Sequence, residues 1–237
     1  MNSRVDFDLG QAFSFVFDDE EWVKKILIGG LVFLGLSLLL VIPGVLWILG
    51  YMLDTARNVA RNDPHPLPDL EIGGQISRGF QMFVVSLVYA IPIILAICVF
   101  TGLMFIPAIM AGEDPDAAVG GMVVLMTFCI YPLLFLFGLA IQVFVFAGYI
   151  IYIQQNSISA AINVGAAWRM VRSQPRTWFI LLLLYWLASI IASAGSAALG
   201  IGVLFTTVFA QAFFGHVLGQ VAAQMSPTEP LPPAATF

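Results

Sequence analysis

Residues 26–53 read ILIGGLVFLGLSLLLVIPGVLWILGYML, an uncharged run bounded by Lys24-Lys25 on one side and by Asp54, Arg57 and Arg61 on the other. A helix crosses the hydrocarbon core of a bilayer in about 20 residues. As one crossing, this run would place its two basic ends on opposite sides of the membrane, against the bias of Lys and Arg toward the cytoplasm. A break at Pro43-Gly44 resolves the conflict. Trp22 to Ile42 then spans about 31 Å at 1.5 Å per residue, and Pro43 to Arg61 is of similar length. Both basic ends fall in the cytoplasm.

The same reasoning extends along the chain. Further apolar stretches occupy about 80–111, 117–153 and 177–223. The last splits near Gly200-Ile201-Gly202, with Arg169, Arg172 and Arg176 before it and a polar tail after it. The loop at 112–116 carries Glu113, Asp114 and Asp116 and no base, so it joins the middle pair on the outer side. The expectation is an all-α integral membrane protein of six transmembrane helices arranged as three hairpins. Both termini lie in the cytoplasm, and the setting is the inner (cytoplasmic) membrane.

Composition agrees. Of 237 residues, 60% are hydrophobic and only 10% charged, and the mean hydropathy is +0.97. Soluble domains carry about 25% charged residues. The shortfall excludes a soluble enzyme and a disordered protein, and a pI near 4.8 argues against a nucleic-acid binder. Cys98 and Cys129 sit in apolar runs and read as small buried hydrophobes. The acids Asp6, Asp8 and Asp18 to Glu21 do not fit the basic start of a secretory signal.

Each hairpin opens on an apolar face at helical spacing: Leu9, Ala12, Phe13 and Val16; then Ile76, Gly79, Phe80 and Phe83; then Ile158, Ile162, Ala166 and Met170. These read as interfacial amphipathic helices, with Trp22 and Trp178 at the depth indoles prefer. Each hairpin closes on Gly plus a ring residue, at Gly50-Tyr51, Gly148-Tyr149 and Gly215-His216. The units of this parallel repeat run about 1–62, 63–156 and 157–224, forming one transmembrane domain over 1–225. The proline-rich end, 226–237, reads as a disordered cytoplasmic tail.

Gly50-Tyr51, Arg57-Asn58-Val59, Leu67-Pro68, Gly79-Phe80, Tyr89 and Pro92 together resemble the DUF4013 family of bacterial and archaeal membrane proteins. The leader from Phe17-Asp18-Asp19 through Trp22, Lys24-Lys25 and Ile28-Gly29-Gly30 resembles the family's opening. The resemblance implies a multi-pass membrane architecture. It implies no activity and no site.

Chemistry is sparse. The chain has no phosphate-binding Gly-rich loop, His-Glu-x-x-His or Cys-x-x-Cys pattern, so neither a cofactor nor a metal is expected. Ser196 and His216 would lie about 15 Å apart in depth, too far for a nucleophile and its base. Asp54 is expected to pair with Arg57 three positions on, or else to form a cation site. Gln142, Gln211 and His216 read as interhelical hydrogen-bond partners. With Tyr51 and Tyr149 they are the candidate polar residues within the membrane. Gly215, Gly219 and Ala223 form a small-residue face for close helix packing, as do Ala188, Ala192 and Ser196. Pro92, Pro107 and Pro132 are expected to kink or break the middle hairpin, and His65 is expected to be solvated.

The function expected from these features is non-catalytic: a scaffold, assembly factor or accessory subunit acting through helix and lipid contacts. Its partners are the lipid bilayer and other membrane proteins or a second copy, and no nucleic acid. The alternative is a small-solute or ion transporter or channel, with its site among the kinked middle hairpin and Tyr51, Tyr149, Gln211 and His216.

Overall fold

The computed structural model describes residues 5–39, 41–110, 121, 126–197 and 202–225. Helices account for 88% of it, with no strand among the described residues. Such an all-helical chain suits hydrocarbon, because a helix satisfies its backbone polar groups within its own segment. The helices are α1 (Leu9–Asp18), α2 (Trp22–Leu39), α3 (Val41–Ala60), α4 (Ile72–Met110), α5 (Tyr131–Gln155), α6 (Ile158–Ala161), α7 (Val164–Ser173), α8 (Pro175–Ala194) and α9 (Gly202–Met225). A π-helical turn, Met126–Ile130, leads into α5, and a 3-10 turn, Gly195–Ala197, follows α8.

Among the described residues, four segments are long and apolar enough to cross a membrane: Ile72–Leu103, Phe128–Gln155, Pro175–Ala197 and Gly202–Met225. Asp54 and Arg57 dilute the last turns of α3.

The first break is not at Pro43-Gly44. Both residues lie in the first turn of α3, where a missing N–H costs nothing because the helix offers it no partner. Residue 40, between α2 and α3, is outside the described residues, as are the acidic loop at 112–116, residues 200 and 201, and the tail 226–237. Pro132 and Pro175 likewise sit in the opening turns of α5 and α8. Pro92 is incorporated in α4, which runs unbroken for 39 residues, or about 58 Å.

That continuity corrects a second expectation. Ile76, Gly79, Phe80 and Phe83 do not form a separate interfacial helix but belong to α4. Phe80 and Phe83 are exposed, whereas Gln75, Gly79, Met82, Val85 and Tyr89 are buried. The inward stripe thus mixes a polar residue and a glycine with core apolar side chains, while Phe80 and Phe83 face outward. The first lead-in is α1, which buries Ala12 and Val16 and leaves Leu9 and Phe13 exposed. The third is two helices, α6 and α7, whose Ile158, Ile162, Ala166 and Met170 pack against the core. Trp178 is buried in that core rather than at its surface, and Cys98 and Cys129 are exposed, contrary to expectation.

Consecutive long helices run antiparallel against each other. Gly29 faces Trp47, and Gly44 faces Ser37, between α2 and α3. Tyr149 meets Ser86, and Gly138 meets Ile93, between α4 and α5. Thr206 donates to the Ala192 carbonyl (2.7 Å) between α8 and α9. α3 and α9 share the centre, each packed on several other helices. Asn62, two residues past α3, has φ 55°, and Asn156, directly after α5, has φ 48°. Both are left-handed caps that asparagine tolerates well.

Candidate functional site

The polar side chains gather near the C-terminal end of α3, where the loop 61–71 is clamped from several sides. Lys25 donates to the Leu67 carbonyl (3.2 Å) and forms ion pairs with Asp19 (2.9 Å) and Asp69 (3.4 Å). Asn58 donates to the Pro66 carbonyl (3.2 Å). The Trp47 indole donates to Gln75 (2.7 Å), whose amide nitrogen donates to the Asp69 carbonyl (2.9 Å). Buried Leu67 seats the loop on Phe15, Val16 and Tyr51. Burial works to raise the pKa of the Asp19 carboxyl. The hydrogen bonds from Lys25 and from the Glu21 backbone, with the Lys25 charge, outweigh it and hold that pKa below the usual value.

Asp54 belongs to this cluster, but not through Arg57. Its partner is Arg78 of α4: Nη2 donates to Oδ2 at 2.8 Å, and Nε lies 2.7 Å from Oδ1. Arg78 also reaches Glu71 (3.4 Å). Arg57 turns the other way, donating to Asn156 and lying 5.1 Å from the centre of the Tyr152 ring. Arg78 wins because α3 and α4 cross closely, and a two-point guanidinium–carboxylate contact is stronger than a local i,i+3 pair.

The crossing depends on two glycines. A Cβ at Gly79 would overlap the Leu46 carbonyl, and one at Gly50 would overlap the Gln75 carbonyl. The expected Gly215 and Gly219 face does pack closely, against α3: Cβ atoms there would stand 2.5 Å from the carbonyl oxygens of Met52 and Ala56. Ala223 is exposed at the end of the stripe.

The other candidate residues do not form one site. Tyr51 is fully buried beside Trp47, and its hydroxyl has no hydrogen-bond partner among the described residues. Tyr149 is hydrogen-bonded to Ser86. Gln142 is half-buried on α5 and joins neither cluster. Gln211 lines an open cleft of about 270 Å³ between α8 and α9, with Ser189, Ser193 and Thr207. His216 borders a separate open pocket of about 360 Å³ with Asp6, Asp8, Asp63 and Gln220. Ser196 bonds to the Ser193 carbonyl at the far end of α8.

That second pocket contains a feature the sequence reading missed. Gln224 and Asp6 exchange two bonds, side-chain oxygen to backbone N–H and side-chain N–H to backbone carbonyl, both at 2.7 Å. Gln220 repeats this with Asp8 at 3.2 and 3.0 Å, and contacts His216 Nδ1 at 3.3 Å. Four helical residues rise about 6 Å and two extended residues about 6.6 Å, so the two spacings match. The four-residue spacing of His216, Gln220 and Gln224 was the available signal.

No curated protein and no solved structure matches the chain. The model of a family described as proteins of unknown function matches residues 33–221. It leaves out the leader from Phe17 to Gly30 but takes in all three Gly-plus-ring pairs. The residue pattern from Gly50 to Pro92 is thus part of a longer likeness, and the chain belongs to the DUF4013 family.

Proposed function

We propose that the protein is a non-catalytic scaffold or accessory subunit of the cytoplasmic membrane, built as three hairpins of six crossing helices with both termini in the cytoplasm. The reading is carried by the outer halves of α4 and α5. From Ile91 to Leu103 and from Phe128 to Leu136, most side chains of these helices are exposed, and nearly all are apolar. They touch each other, as at Gly138 and Ile93, and present a wide lateral surface for lipid or another membrane helix. The antiparallel pairing of successive helices and the charge asymmetry of the loops support the six-crossing topology. Interfacial α1 and α7 fit the same arrangement. A transport reading has one supporting feature, the cleft beside Gln211, whose lining among the described residues does not include Tyr51, Tyr149 or His216.

Two measurements test the proposal. Cysteines placed at Pro43 and at Asp63, in a chain with Cys98 and Cys129 replaced by Ser, should be labelled from opposite sides of the membrane. Labelling of both from one side would end the topology. Mild-detergent purification should retain a membrane partner or a second copy, and that association should be lost when Leu95, Val99, Leu133 and Leu136 are replaced by Ala. A solitary monomer would count against the scaffold.

A further inference from the structure

We propose that Arg169, Arg172 and Arg176 form a binding site for the anionic headgroups of phospholipids in the cytoplasmic leaflet. Three other cations have carboxylate partners. Lys24 pairs with Glu21, Lys25 with Asp19 and Asp69, and Arg78 with Asp54 and Glu71. Arg169, Arg172 and Arg176 are exposed and have no carboxylate partner among the described residues.

The sequence explains the contrast. After Glu71 the only acids are Glu113, Asp114 and Asp116, in the loop assigned to the opposite side, and Glu229 in the tail. Three positive charges thus fall within eight residues, on α7 and the first turn of α8, with no acid in their own stretch of sequence. Each cation near an anionic leaflet gains enough attraction to enrich charged lipid about fivefold.

Local geometry gives the cluster a definite aspect. α7 packs Ala166, Ala167, Met170 and Val171 inward and turns Arg169 and Arg172 outward. Trp168 stacks on Phe144 with rings 5.9 Å apart and nearly parallel, and the Arg172 guanidinium lies 5.5 Å from the centre of the Trp168 ring. The aromatic pair holds one arginine in place while leaving its donors free for phosphate oxygens. Arg176 follows in the first turn of α8. Zwitterionic lipid satisfies the apolar contacts of Val164 and Trp168 equally well, so the arginines carry the selectivity.

This site rests on the interfacial placement of α7 proposed above, and one experiment separates the two ideas. Full-length protein with Cys98 and Cys129 replaced by Ser and with Ser173→Cys carries an environment-sensitive fluorophore. It is placed in nanodiscs containing spin-labelled phosphatidylglycerol or spin-labelled phosphatidylcholine at equal fraction. Quenching by both, with phosphatidylglycerol at least about fivefold more effective, is the expected result. The preference should disappear in R169Q/R172Q/R176Q. In the unmutated cluster it should weaken as salt rises, a readout that does not depend on the triple variant folding. Equal quenching by the two lipids, or a preference insensitive to both salt and the triple substitution, would overturn the lipid site while leaving α7 at the interface. Quenching by neither would overturn the interfacial placement and the site with it.

Discussion

Gly50 of α3 and Gly79 of α4 meet where the two helices cross, so closely that a Cβ on Gly79 would stand 2.9 Å from the Gly50 backbone nitrogen. Backbone fills the space that side chains occupy at most helix contacts. Without that approach, Trp47 would not reach Gln75, nor Asp54 reach Arg78. A small residue at each position is therefore a condition of the polar cluster.

Replacing Gly79 or Gly50 by Ala should separate α3 from α4 and lower stability by about 2–3 kcal/mol, within the range of overpacked cores. Unfolding in mixed micelles, followed by tryptophan fluorescence, measures it. Gly35→Ala is the control, because a Cβ there meets nothing within 4 Å. Equal effects at Gly35 and Gly79 would contradict the crossing.

Asp54→Asn should leave Arg78 partly buried without its carboxylate and cost about 2 kcal/mol or more, and Arg78→Gln should cost a similar amount. A double-mutant cycle should return a coupling of about 1–3 kcal/mol for Asp54 with Arg78. The same cycle for Asp54 with Arg57 should return much less. A larger coupling to Arg57 would restore the local pair.

Gln220→Ala with Gln224→Ala should free the extended segment before α1. Hydrogen exchange at the amides of Asp6 and Asp8 should become fast, because those N–H groups donate to the two glutamines. Amides at the centre of α9 should stay protected. Unchanged exchange at Asp6 and Asp8 would show that the glutamines do not hold the segment.

Acid should weaken the loop clamp. The Asp19 carboxyl has a folded pKa below its unfolded value of about 3.9. Its contribution to stability is therefore complete above that value and is lost as pH falls through the folded pKa. Asp19→Asn should lower stability at neutral pH and flatten the decline below about pH 4. Parallel curves for the two proteins in that range would refute this role.

The presence and extent of the helices were largely legible in the sequence, because long apolar runs between charged ends leave few alternatives. The inward faces were much less so. In lipid, a bulky apolar side chain is at home outside the bundle as well as within it, so Phe80 and Phe83 did not mark the buried side of α4. The buried side was the one with Gln75 and Gly79. Pro43 misled because a proline beginning a helix and a proline ending one are the same letter, and only the path of the backbone distinguishes them. Asp54 showed its need for a cation, but its partner lies 24 residues away and is brought there by a crossing no local spacing encodes. Gly215 and Gly219 were readable as one face because four-residue spacing on a helix defines a face whatever it packs against.

α4 is a single unbroken helix from the clamped loop to Met110. Its first turns are fastened to α3 through Gln75 and Arg78, while its second half, among the described residues, packs on α5. A rod held at one end behaves as a lever. A small tilt at the Gly50–Gly79 fulcrum becomes a several-fold larger sweep at the far end, and Pro92, with no N–H to hold the preceding turn, is the point along it most able to bend. Whatever grips the clamped loop at 61–71 can therefore move the opposite end of this helix without touching it.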